Sequence, residues 1–329
     1  MNKWTNDKID QEMLRMMDEM SEGGNQEQNI EKKIESQMKK RIRKVVNKTL
    51  GVIFVVVILL FVVINPILNA AFLNPEKLNG EGQGVMYQTL KDYFELTRPY
   101  AELCSLSVKG KGFARYELQM QFVNRREPVH LGIANTWVDV EFNKYKDWKD
   151  VDRYYEYLMN RFDCPLDDRE LLLQNISELP ASAVVYLSIG EKEARPVSEL
   201  FHENVNAIWA QIDQPNVEFQ GGIALQPSIV YEDTEFKDMS EAQQKELYLS
   251  KIKNLTENEK IWKSLGIMSD NKQFYDTDVL KDCYEDAQHM DRLMTKKYCI
   301  SGKRDEIIDY LQRREIQSLY IDEVKWCQI

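Results

Sequence analysis

The sequence predicts a single transmembrane helix followed by an α+β extracytoplasmic domain containing strand–helix–strand units. Three observations predict it. No charged residue occurs from Thr49 through Pro75. The stretch Ala114–Phe122 alternates apolar and polar side chains with a strict period of two. Two later segments, 183–212 and 298–326, each read as strand, helix and strand with short connections.

The uncharged run sets the first boundary. Leu50 to Leu73 is 24 residues, roughly 36 Å as a helix, enough to cross a hydrocarbon core of about 30 Å with some tilt. Leu50–Ile64 is apolar throughout, with no polar stripe of the kind a half-buried soluble helix would show. Asn65, Pro66 and Asn69 fall in the last third, where headgroups or a helix break accommodate them. Six basic residues precede the run with no acid among them: Lys39, Lys40, Arg41, Arg43, Lys44 and Lys48. The positive-inside rule places that side in the cytoplasm. A cleaved signal has a short leading region, whereas some 48 residues precede this run, so the span is read as an uncleaved anchor in the lipid bilayer.

The chain thus divides into a cytoplasmic tail at 1–48, a transmembrane helix at 49–73, a linker at 74–84 and an extracytoplasmic region in two parts, 85–180 and 181–329. The tail carries a net +2 and the region beyond the span −13. So acidic a domain is a poor ligand for nucleic acid.

In the tail, Ile9, Met13, Met16, Met17 and Met20 recur on one helical face. About a dozen residues are marginal as an isolated helix. Methionine adapts to irregular grooves, so this face is expected to bind a cytoplasmic partner, with adsorption to the membrane surface as the competing reading. Its acidic side, with Asp10, Glu12, Asp18 and Glu19, weighs against anionic lipid.

Beyond the span, Asn79–Gly84 is Gly-rich and reads as a flexible linker. Val85–Leu96 reads as a helix stopped by Pro99. Ala114–Phe122 is a strand, and Val138, Val140 and Phe142 continue the alternation in a second one. Helical patterns follow near Val151–Phe162 and Asp167–Leu179. Ala183–Ile189 is a short strand, Pro196–Glu203 starts a helix with Pro in its first turn, and Val205–Ile212 is a strand. Long helices are expected over Ser240–Leu265 and Thr277–Lys296. Tyr298–Ile300, Lys303–Arg313 and Ile316–Trp326 then repeat strand, helix and strand, a pattern that fits a degenerate duplication.

Reactive constellations are not expected. His130, His202 and His289 lie far apart without metal-ligand spacing, and neither a nucleophile elbow nor a phosphate-binding loop occurs. The sequence therefore predicts no enzyme, cofactor or metal. Asp167-Asp168 and Asp282–Asp286 read as solvated helix faces, and an acid/base carboxylate pair is the enzymatic alternative. The five cysteines, Cys104, Cys164, Cys283, Cys299 and Cys327, leave up to two disulfides or buried free thiols open. Trp137, Tyr145 and Trp148 form a candidate contact surface for an extracytoplasmic protein or ligand, while Trp209 and Trp326 are expected in the core.

The basic cluster, the span ending in Asn65-Pro-Ile-Leu-Asn69, and the segments Ala183–Ser188, Ser198-Glu-Leu200, Ile208–Asp213 and Phe219–Gly222 together resemble the bacterial sigma-factor regulators. These are membrane anti-sigma factors with an N-terminal membrane region and a C-terminal extracytoplasmic domain. The resemblance covers roughly 35–75 and 180–329. It implies a tail that holds an extracytoplasmic-function sigma factor and an outer domain that influences its release. The alternative is a bitopic scaffold of the cell envelope or division machinery.

Overall fold

A computed structural model describes residues 11, 14–16, 27–80, 83–126, 133–146, 162, 164–166, 168–217, 221–226, 236–268 and 277–326. The chain forms two compact units, 1–67 and 68–329.

The first unit is dominated by one long helix. It runs as α1 (Glu27–Ile58), a π-helical segment (Leu59–Ile64) and α2 (Asn65–Ala71), whose residues from Leu68 on belong to the second unit. The helix of residues 31–71 contains a stretch long and apolar enough to cross a membrane. Pro66 explains the π segment. A proline ring clashes with the carbonyl four residues back and leaves no N–H to bond it. Widening the turn relieves this, and the Asn65 N–H reaches back to the Leu60 carbonyl.

The second unit opens with α3 (Pro75–Asn79), where a flexible linker was expected. Asn74 caps this helix and the buried Asn79 amide donates to the Leu106 carbonyl at 3.0 Å. Next come α4 (Val85–Thr97) and an antiparallel meander of β1 (Ala101–Gly112), β2 (Arg115–Asn124), β3 (Ile133–Glu141) and β4 (Lys144–Lys146). The alternating face of β2, with Tyr116, Leu118, Met120 and Phe122, is buried together with Val138 and Val140 of β3. On it lie Met86, Leu90, Tyr93 and Phe94 of α4.

Two tight turns close the meander at the same end. Phe113 and Ala114 (φ 55° and 53°) link β1 to β2, and Phe142 and Asn143 (φ 46° and 69°) link β3 to β4. Two-residue hairpins demand this left-handed backbone, at about 1–3 kcal/mol for each non-glycine residue. Phe142 was expected to continue its strand and is instead a turn residue.

After α5 (Arg169–Ser177) comes the second sheet, with β5 (Val184–Pro196), a 3₁₀ turn (Val197–His202), β6 (Asn206–Gln211) and β7 (Gly222–Ala224). The helices α6 (Glu241–Glu257), α7 (Glu259–Met268) and α8 (Thr277–His289) precede β8 (Met294–Lys303), α9 (Arg304–Gln312) and β9 (Ile316–Lys325). The strand order is β7-β6-β8-β5-β9, all antiparallel. Thus β5 runs parallel to β6, and β8 parallel to β9, each pair split by one strand of the other. This is the interleaved arrangement of split βαβ, ferredoxin-like sheets. One apolar cluster runs through both sheets and the helices between them.

Several local expectations need correction. The helix expected over 240–265 breaks at Asn258, and that expected to Lys296 ends at His289, where β8 takes over. Trp326, expected in the core, is half exposed at the end of edge strand β9. Tyr145, expected on a contact surface, is buried and donates to the Ile261 carbonyl at 2.5 Å. Trp137 is exposed and Trp209 buried, as their strand faces predict. Trp148 and the helix expected over 151–161 lie outside the described residues.

Gly222 shows how closely the second sheet is packed. A Cβ there would lie 1.7 Å from the Trp209 ring. Gly222→Ala should therefore lower stability by about 1–3 kcal/mol through overpacking, read as a lower thermal midpoint of the full-length protein in detergent. An unchanged midpoint would mean that the indole is free to move aside.

Candidate functional site

Of the apolar tail residues singled out by spacing, Met16 lies in a helical stretch and is partly exposed. Ile9, Met13, Met17 and Met20 lie outside the described residues. The basic residues Lys39, Lys40, Arg41, Arg43, Lys44 and Lys48 all project from the exposed surface of α1, where Lys39 pairs with Glu35 one turn earlier at 2.6 Å. They precede the apolar stretch of a continuous helix, the arrangement an orienting cluster requires.

Sequence reasoning missed a cavity of about 150 Å³ beside α4 and α6, whose charged lining is Lys91, Asp92, Glu95, Glu102, Arg125 and Lys251. Local helix geometry builds its centre. Asp92 and Glu95 stand three apart on α4, as do Lys251 and Asn254 on α6, so each pair shares a helical face. Lys251 Nζ lies 3.1 Å from Glu95 Oε2 and 3.4 Å from Asp92 Oδ1. Asn254 Nδ2 donates to Asp92 Oδ2 at 2.6 Å and Gln88 Nε2 to Asp92 Oδ1 at 3.1 Å. The Ala224 N–H donates to Glu95 Oε1 at 3.3 Å, and the Trp209 indole donates to the Glu95 carbonyl at 2.8 Å. On the β1–β2 side, Arg125 lies 3.4 Å from Glu102 and donates to the Pro99 and Ala101 carbonyls.

Burial and pairing split the two α4 carboxyls. Desolvation raises the Asp92 pKa, with Lys251 opposing it. Glu95 is desolvated too, but Lys251 and Arg125 outweigh that and hold it below the usual range. Lys251 is desolvated as well, yet Glu95 and Asp92 raise its pKa, so it remains protonated and is a poor base or nucleophile. The cluster therefore acts as an electrostatic lock between α4 and α6.

A second lock sits on the split sheet. The β5–β8 register shifts between Gly190 and Arg195, and Arg195 and Glu191 approach to 3.6 Å. Arg195 donates to the Tyr310 hydroxyl at 2.8 Å and lies over the Tyr298 and Tyr310 rings. Burial pushes Tyr310 up to about 12. Glu203 gathers Arg195, Arg313 and Arg314.

Cys104, Cys164, Cys283 and Cys299 are free thiols. Burial pushes Cys283 up to about 11, so it stays protonated while donating to Gln214 at 3.0 Å. Asp168, read as part of a solvated face, caps α5 through the Leu171 N–H. Among the described residues no group of three or more His, Cys, Asp or Glu is placed to hold a metal ion.

No protein-family model, curated protein or solved structure matches this chain.

Lys251→Met tests the lock. It removes the cation that pairs with two buried carboxylates, leaving Glu95 only the weaker pull of Arg125, a loss of about 3–5 kcal/mol. The pH dependence follows from the directions of shift. In the wild type, Asp92, raised on folding, favours the fold at low pH, whereas Glu95, lowered, favours it at higher pH, and the two oppose. Losing Lys251 raises both folded-state carboxyl pKa values relative to the wild type, so the stability deficit should narrow from about pH 7 to about pH 5. Denaturant titrations at both values check this; a deficit that widens on acidification would refute the assignment.

Proposed function

We propose that this chain is a single-pass membrane regulator, an anti-sigma factor or sigma-factor regulator. Residues 1–48 face the cytoplasm and hold an extracytoplasmic-function sigma factor. The C-terminal domain lies outside the cytoplasm and alters that grip in response to a protein or ligand there. The observation that carries this reading is the continuous helix of residues 31–71, with six bases before its apolar run and a domain of net −13 after it. The cluster of bases favours an N-terminus-inside orientation. Among the described residues there is one such helix, so in this reading the tail is the part that reaches a cytoplasmic partner. The partner class rests on the resemblance of residues 35–75 and 180–329 to sigma-factor regulators.

Full-length protein solubilised from host membranes should co-purify a sigma factor. Met13→Asp, Met16→Asp and Met17→Asp together should abolish this. Disrupting interface anchors costs about 2 kcal/mol or more, so recovery should fall more than about tenfold. Recovery of envelope or division proteins in place of a sigma factor would favour the scaffold.

A further inference from the structure

The end of the membrane-crossing helix and the two hairpin tips of the first sheet are knotted together. The Ala114 N–H donates to Asn69 Oδ1 at 2.9 Å, and the Leu73 N–H to Asn143 Oδ1 at 2.5 Å. The Phe142 N–H donates to the Ala114 carbonyl at 3.2 Å, joining one tip to the other. Phe72 meets Phe142 edge-on, with ring centroids 5.1 Å apart. Asn69 and Leu73 are four residues apart, about one helical turn. Both tips are therefore held within roughly a turn of the point where the apolar helix ends.

We infer that these tips form a foot that seats Phe142 and Phe113 in the headgroup layer of the same bilayer, an inference that rests on residues 50–73 being a membrane span. Two further observations support it. Phe142 is 44% exposed. Phenylalanine occupies left-handed turn positions in both hairpins, where Asn-Gly is the default, so each turn adopts a strained backbone while carrying an aromatic side chain at its tip. Phenylalanine is among the side chains that interfacial segments bury at the headgroup/acyl boundary.

Charge points the same way. Beyond the span the chain carries −13, which anionic lipid would repel. The tips are the exception. Lys109, Arg115 and Lys144 are exposed there, and among the described residues none has a carboxylate within ion-pair distance. The neighbouring acids Glu117 and Asp139 are engaged by Lys111, and Glu141 by Lys146. Cations beside the exposed Phe142 and the half-buried Phe113 match an anionic headgroup layer.

The test uses the full-length protein in phosphatidylcholine vesicles containing phosphatidylglycerol. The photocrosslinker p-benzoyl-phenylalanine replaces Phe54, Phe142 or Trp137 one at a time, and lipid adducts are quantified by mass spectrometry. Trp137 is the matched control. It is 48% exposed on the same sheet but five residues from the tip, about 16 Å along the strand. The foot requires adducts at positions 54 and 142, several-fold above position 137. Adducts at 54 with none at 142, or equal yields at 142 and 137, overturn the foot while leaving the span intact. No adduct at 54 removes the span and the foot with it.

Discussion

A helix buried on several sides must find partners for every charge it carries, and α4 is such a helix. Nine of its thirteen residues are buried, Asp92 and Glu95 among them. Its apolar side completes the core of the first sheet, so these carboxyls cannot turn to water without dismantling that packing. They are matched instead by Lys251 and Asn254 of α6, whose own apolar residues Tyr248, Ile252 and Leu255 belong to the same continuous core. The chain of dependence goes further. Trp209 satisfies the Glu95 carbonyl, and its ring fits only because position 222 is glycine. The two sheets are thus joined by hydrogen bonds and ion pairs that fix alignment, as well as by apolar contact that merely favours it.

The strongest local patterns were legible in the sequence. The uncharged run after Thr49 and the period-two alternation of β2 need no tertiary information, because each exposes its whole environment in one stretch. The strands of the two later segments were visible for the same reason, although the helix expected over Pro196–Glu203 is only a 3₁₀ turn (Val197–His202). Their interleaving was not, since it is decided by which edges pair and not by what either segment contains. β1 escaped notice because its Lys- and Gly-rich end and the irregularity between Leu103 and Ser105 blur the alternation. The start of β8, Met-Thr-Lys-Lys, contains residues as common in helices as in strands, so the preceding helix seemed to continue.

The candidate sites divide along the same line. A cluster of bases is a run of neighbours and can be read directly. The α4–α6 lock joins residues more than 150 positions apart, and its carboxyls occupy positions that a helical wheel assigns to solvent. Nothing local distinguishes Asp92 from an ordinary surface acid. Only the equal three-residue spacing of Asp92/Glu95 and Lys251/Asn254 hinted at matched faces, and that spacing is common. Tyr145 misled for a related reason: a three-residue strand gives too little pattern to show which side is covered.

The interleaving of the second sheet has a consequence for how this domain can be taken apart. β5 and β6 belong to one stretch of chain, β8 and β9 to another, and each stretch fills a gap in the other. A backbone cut anywhere between Ala224 and Met294 would sever the chain but leave both stretches zipped by the ladders of β5 with β8 and β9 and of β6 with β8. A single nick there would not shed the C-terminal portion, and separation would require unfolding the sheet as a whole.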